Sequence, residues 1–580
     1  MKNILPFAIT ALLLSAPLVP VPAFASAKAD AKTAEKILMD LPVEAGPRAW
    51  DRLQRTAYLK GQFSKLYPVK IKYDESRLSS KEKRMVSHLI DAAKAMDRMF
   101  RLQAYAKNTE IAAKLGKSSD RLDKLTLDYF NFNAGPFDRI NDMHNFYSAE
   151  KRPEGAAFYP ADMTKSEFEA WVKSHEKDRK ALTSEFTMIV RDKDGGLRAI
   201  PYHEYFKEDV AKAADSLNKA AELCDNPTLK RFLLSRAKAL ATDDYYESDV
   251  DWMTIEDSAI ELVIGPYEVY EDGMNNYKAS YECFVYQTIP EDAKEFSAFV
   301  KYLPELEGNL PIPDEDKNLT KDFSSPIRIV NLIYSSGDAR AGVHTSAFAL
   351  PNDERVRKEK GCKKVMMKNV MSAKFEGSTM PIGLKIVDPS LTKYISFDSY
   401  FRSVVFHELA HSLGPGEVKM PDGTLKDVRI CLGDTYSSIE ECKADTLAMY
   451  NEFHLMDKGV ISKDEFKQMC VTYLTGIFRS VRFGVGEAHG KGALIQLNWM
   501  MEKGAFSYDW KTGTYSMDFS KFREANKGLV KALLDIQRKG SREESLRFLD
   551  KYAQVPDHLT ASLEKLYEIP IDILPEFTTK

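Results

Sequence analysis

The sequence predicts an α+β fold, on three observations. Charged residues alternate with Ala and Leu at helical spacing from about Ser80 to Leu115 and again from Val210 to Ala241, as in solvated amphipathic helices. Strand-like pieces stand at Phe186 to Val190, Ser280 to Thr288 and Ile327 to Ile333, short and rich in β-branched and aromatic residues. The 580 residues show no internal repeat and no long low-complexity linker, although the length suggests several domains. The proline-bearing stretch Pro304 to Pro326 is the best internal connection.

The chain starts with a segment that reads as an export signal. Lys2 precedes an apolar stretch, Ile4 to Val21, broken by Pro6 and Pro17, and Ala23-Phe24-Ala25 before Ser26 is a small-x-small cleavage site. The broken run argues against a retained membrane anchor, and the lack of a cysteine after the site argues against a lipoprotein. The expectation is residues 1–25 as signal peptide and 26–580 as a protein of the periplasm or exterior, off the membrane after cleavage.

A net charge of -4 leaves no basic excess to attract nucleic acid or anionic lipid. Six cysteines, Cys224, Cys283, Cys362, Cys431, Cys442 and Cys470, are too sparse for a disulfide scaffold. An oxidising compartment would permit bridges without choosing a pairing, and oligomeric state is not legible.

His407-Glu408-Leu409-Ala410-His411 carries the chemistry. Residues four apart share a helix face, so His407 and His411 can offer two imidazoles to one ion with Glu408 beside it as a base. Tyr400, Phe401, Val404 and Val405 supply apolar packing upstream, and Gly414-Pro415 ends the segment. Glu440-Glu441-Cys442-Lys443-Ala444-Asp445 follows about thirty residues later. Ser437 lies three residues before Glu440 and reads as a capping box that occupies Glu440 with backbone, leaving Glu441 as the freer carboxylate. Glu441 can complete a three-ligand site for one zinc ion per chain. Asp445, one turn on, can hydrogen-bond a ligand imidazole, with Glu440 as further outer support. Cys442 is rotated by about 100° from the Glu441 face and reads as a packed thiol.

With these motifs in place, the chain resembles the dipeptidyl peptidase III family of zinc exopeptidases. The likeness extends to Phe132-Asn133-Ala134-Gly135-Pro136-Phe137-Asp138-Arg139, Ala157-Phe158-Tyr159-Pro160, Thr242-Asp243-Asp244-Tyr245, Ile264 to Asp272, Leu350 to Arg355 and Gly486-Glu487-Ala488-His489. By that resemblance His407, His411 and Glu441 correspond to the zinc ligands and Glu408 to the catalytic base. Glu268 corresponds to the carboxylate that holds the substrate's amino terminus, Asn352 to an amide on the first substrate residues, and Tyr270 and His489 to groups near the scissile carbonyl. Two features depart from the family: the five-residue histidine motif is one residue shorter than in eukaryotic members, and Ala349-Leu350-Pro351-Asn352 keeps only the second of two asparagines.

The resemblance implies a two-lobed molecule, with a mostly helical zinc lobe, a mixed lobe with a small β-sheet or barrel, and a wide cleft between them. The mixed lobe is expected mainly over 26–300 plus a returning segment near 325–355, and the zinc lobe mainly over 360–510. The expected activity is release of dipeptides from the amino ends of short peptides. A broader zinc oligopeptidase, favoured by Ala349, and a non-catalytic periplasmic peptide-binding protein are the alternatives.

Overall fold

A computed structural model describes residues 47–319, 327–420, 422–482 and 484–579, so the expected export signal lies outside the described residues. The principal helices are α1 (Ser80–Ala104), α2 (Lys207–Leu223), α3 (Pro227–Leu240), α4 (Phe397–Ala410), α5 (Tyr436–Asp457), α6 (Phe466–Val481), α7 (Ala488–Glu502) and α8 (Phe519–Lys539). The main sheet comprises β1 (Ile260–Glu268), β2 (Ser280–Thr288), β3 (Ile327–Gly337), β4 (Ala347–Leu350) and β5 (Lys363–Met367), in the order β1-β2-β3-β5-β4. All neighbours are antiparallel except β3 and β5. The excursion from β3 to β5 supplies the edge strand β4.

Each expected helical stretch is two helices. α1 starts at a Ser79/Glu82 capping box and gives way at Tyr105 to a second helix, Asn108–Lys117. The other stretch divides where Asn226 caps Pro227 at the start of α3. Nor is α1 a solvated helix: Ala92, Ala93 and Ala95 are buried with Met96, Met99 and Phe100 where it packs on α2 and β2. Small alanines permit that close approach, so charge periodicity overstated its exposure. The piece near Phe186 is a separate hairpin, Thr187–Arg191 with Leu197–Pro201.

Two large apolar cores divide the chain. The first runs from Ile71 to Ala373 and takes in Ile573; the second runs from Phe296 to Ile569. Of the expected connection at 304–326, residues 320–326 lie outside the described residues and the rest is partly core, since Leu306, Leu310 and Ile312 are buried in the second cluster. The helical core likewise continues well beyond 510, through α8. The strand Asp572–Phe577 then returns to pair in parallel with Leu66–Ile71 on the first lobe.

The cores meet along the sheet. On β5, Val365 and Met367 belong to the first cluster and Met366 to the second; on β3, Ile327 and Ile329 belong to the second and Val330 and Leu332 to the first. Side chains alternate along a strand, so this end of the sheet presents one face to each lobe. Among the described residues, no helix is long and apolar enough to cross a membrane.

Candidate metal centre and peptide cleft

α4 is capped by Ser396 and buries Phe401, Val405, Phe406 and Leu409. It stops at Ala410, with His411 as the capping residue, and Gly414 (φ +85°) takes the left-handed turn that follows. Ending the helix here leaves carbonyls without intrahelical donors. Lysines fill that need: Lys443 Nζ donates to Ala410 O at 3.0 Å and Leu413 O at 3.1 Å, and Lys364 Nζ donates to Glu408 O at 2.7 Å. Both cations also suit the negative end of the helix dipole.

α5 packs against α4 and brings Glu441 to the two imidazoles. The Nε2 atoms of His407 and His411 are 3.1 Å apart, and Glu441 Oε2 lies 3.4 Å from the first and 3.7 Å from the second. A tetrahedral ion held at ~2.0–2.1 Å requires donor–donor edges of about 3.3–3.4 Å. The observed triangle fits one.

The outer contacts explain why these atoms converge. His407 Nδ1 faces Asp445 Oδ1 at 2.7 Å, and His411 Nδ1 faces Glu440 Oε1 at 2.8 Å. With each Nδ1–H committed to a carboxylate, both Nε2 lone pairs point inward. Glu441 Oε2 is buried with no hydrogen bond, and it meets the two imidazoles at a point that a cation can satisfy. Burial works to lower the His407 pKa, yet Asp445, with help from Glu441 and Glu408, outweighs it and pushes the imidazole up to about 10. The surroundings favour positive charge at this spot.

The expected capping box does not form. The turn Gly433–Thr435 feeds directly into α5 at Tyr436, Thr435 occupies the cap position without a side-chain bond, and Ser437 falls inside the helix. Glu440 is therefore free of the backbone and serves as outer support to His411, held by Lys443 Nζ at 2.8 Å and Gln537 Nε2 at 2.6 Å. Burial opposes its ionisation, but Lys443 and His411 prevail and draw the carboxyl down to about 2. Asp445 accepts from Gln496 Nε2 at 2.9 Å, and His407 holds its pKa low against burial. Cys442 is fully buried and burial pushes its thiol well up, which keeps it protonated and out of the ligand set.

Glu408 faces a cavity of about 540 Å³ whose lining includes Val343, Tyr400, His407, Tyr473 and His489. Burial raises its pKa, but Lys364, His407 and His411 more than offset this and lower it, so it is a carboxylate at neutral pH. His489 is the second residue of α7, capped by Glu487, and its Nδ1 reaches 3.2 Å from Glu441 Oε2. Gly492, one turn on, allows the approach, because a Cβ there would meet Cys442 N at 3.1 Å.

A second group sits on the sheet lobe. Glu268 ends β1 at a register shift beside Pro266, and Asn352, two residues past β4, donates to Tyr267 O at 3.1 Å and approaches Glu268 Oε1 at 3.5 Å. Burial raises the Glu268 pKa against the Asn352 bond. Tyr270 does not continue the strand; it lies in the following turn, 80% exposed, with its pKa raised by Glu268. Neither Glu268, Tyr270 nor Asn352 lines the cavity at Glu408. Sequence reasoning missed Lys364, Gln496 and Gln537. Gln496 follows His489 by seven residues on one helix face, a usable signal; Gln537 offered none.

Two histidines one helical turn apart, an adjacent glutamate and a carboxylate from a second helix, on the cleft of an α+β chain, define a metallopeptidase. The sequence profile of Peptidase family M49 matches residues 162–428, which include the α4 motif. The chain belongs to the dipeptidyl peptidase III family. It is similar to the structure of DPP III from Caldithrix abyssi at 46% identity and a TM-score of 0.87, over 90% of this chain and 99% of that one. The structure of dipeptidyl-peptidase III from Corallococcus sp. strain EGB is similar at 40% identity and a TM-score of 0.75, over 90% and 97%. Nudix hydrolase 3 of Arabidopsis thaliana is 34% identical over 90% of this chain and 74% of its own length. Membership makes the protein a peptidase and sets aside the non-catalytic reading.

Proposed function

We propose that this peptidase is a zinc-dependent exopeptidase that releases dipeptides from the amino ends of short peptides. The observation that carries the proposal is the buried triangle of His407, His411 and Glu441 acceptors beside the ionised Glu408. Two imidazoles and a carboxylate in tetrahedral spacing suit zinc. When bound, zinc lowers the pKa of water and polarises a carbonyl. Glu408 takes the proton of the attacking water and delivers it to the leaving amine. His489 donates toward the developing oxyanion, and Tyr270 joins it when the cleft closes on substrate.

Glu268 and Asn352 receive the free amino terminus as a charge-assisted pair. β4 is the sheet edge, bonded only to β5 among the described strands, so its open side can take an extended peptide as an added strand. Ala349 on β4 is the register partner of Lys364, whose amine touches Glu408.

Ala349 favours a second reading, a broader oligopeptidase, because it lacks the amide that would help fix the same end of the peptide. Free and amino-acetylated peptides of five to ten residues, digested and read by product mass, separate the two. Dipeptides from free peptides only are expected; equally fast internal cleavage of acetylated peptides would overturn the exopeptidase assignment. Glu408→Gln is expected to keep zinc and lose turnover, and normal turnover in the metal-loaded variant would remove Glu408 from the mechanism. We also propose export from the cytoplasm, on the reading of residues 1–25; a mature amino terminus at Ser26 in a periplasmic extract is expected, and an uncleaved chain in the cytoplasm would exclude it.

A further inference from the structure

Lys363 and Lys364 are adjacent on β5 and face opposite ways. Lys363 turns into the first lobe and donates to Trp252 O at 2.7 Å. Lys364 shares a face with Met366, toward the second core. Its ammonium donates to the Glu408 carbonyl at 2.7 Å and stands 3.4 Å from Oε2 of the same residue's carboxylate. That carbonyl is open because Ser412 N, which a continued helix would direct to it, turns back to Leu409 O at 3.0 Å.

A glutamate side chain has three rotatable bonds, and a general base must keep its oxygen within hydrogen-bond reach of the proton it removes. α4 ends within a turn of Glu408, so the helix alone constrains it weakly. An ammonium that engages both the backbone and the carboxylate of one residue narrows the orientations of that carboxylate. The ammonium is itself well anchored, since β5 lies between β3 and β4, with Lys364 opposite Ile327 on one side and Ala349 on the other. The tether thus runs from the strand proposed to receive the peptide to the base that would act on it.

We propose that Lys364 is a positioning residue for the hydrolytic reaction: it holds the Glu408 carboxylate, from the sheet lobe, in register with a peptide docked on β4. This rests on the reading of Glu408 as the base.

The test is kcat, KM and zinc content for Lys364→Met, Lys364→Arg, Glu408→Gln and the Lys364→Met/Glu408→Gln double variant. Loss of an outer partner of a reacting group lowers activity roughly 10- to 100-fold. The expected result is a kcat fall of that size in Lys364→Met with KM within about twofold and zinc retained, partial recovery in Lys364→Arg, and no further loss on adding Lys364→Met to Glu408→Gln. Full activity in Glu408→Gln would defeat the reading of the base itself. An inactive Glu408→Gln beside a fully active Lys364→Met would defeat only the present proposal. A raised KM with unchanged kcat would make Lys364 a peptide contact instead, and zinc loss would make it part of the metal centre; each overturns the proposal. If Lys364→Met does not fold, Lys364→Gln and Lys364→Arg carry the same comparison, with kcat expected in the order Lys, Arg, Gln.

Discussion

Replacing Glu440 and Glu441 separately by alanine separates fold stability from metal retention. Glu441 supplies one of three protein donors, and structural zinc sites with four ligands bind with apparent free energies of ~10–16 kcal/mol, or ~2.5–4 per ligand. Glu441→Ala should therefore weaken zinc by two to three orders of magnitude, at ~1.4 kcal/mol per tenfold. Glu440 touches no ion position; its removal frees His411 Nδ1 and leaves Lys443, only 2% exposed, without its carboxylate. Breaking a buried pair costs ~3–5 kcal/mol, and Lys443 keeps two carbonyl acceptors, which places the cost near ~3 kcal/mol. Glu440→Ala should lose a few degrees in Tm and about 10- to 100-fold in zinc affinity at most. Chelator competition followed by elemental analysis, run beside thermal melts of the zinc-loaded proteins, reads both effects. Equal zinc loss in the two variants, or zinc retained by Glu441→Ala, would refute the ligand assignment.

Gly492→Ala should force α7 off α5 by a few tenths of an ångström, cost about 1–3 kcal/mol through overpacking, and lower kcat by displacing His489; unchanged melting and turnover would show that the close approach is not needed. Tyr270→Phe should lower kcat more than it changes KM, and unaltered kcat on a dipeptide-releasing substrate would remove the phenol from the reaction. Glu452 is fully buried, and burial, only partly offset by Arg402 at 2.9 Å, pushes its carboxyl up to about 7 from 4.5. Its neutral form is the one the fold prefers, so the stability it contributes is complete below pH 4.5 and lost as pH rises through 7, ~3 kcal/mol at ~1.4 per pH unit. Glu452→Gln should abolish that slope in denaturant titrations between pH 4.5 and 8, and an identical slope in the variant would assign it to another group.

The convergence of His407 and His411 was readable because helical periodicity is local: residues four apart must share a face, whatever surrounds them. The capping box expected at Ser437 failed because the helix begins a turn's fraction earlier, at Tyr436, out of a turn that no motif announces. Lys364 and Gln537 reach the centre from 44 and 97 residues away. Only tertiary packing selects those partners, and a sequence holds many lysines and glutamines with equal claim.

The strand β5 answers to two interiors, one for each parity of its residues. Had the lobes been joined only by flexible crossings, each could melt by itself and show its own transition. Loosening Met366 from one interior instead disturbs the backbone that seats Val365 and Met367 in the other. Denaturation should thus couple across the molecule into one cooperative event.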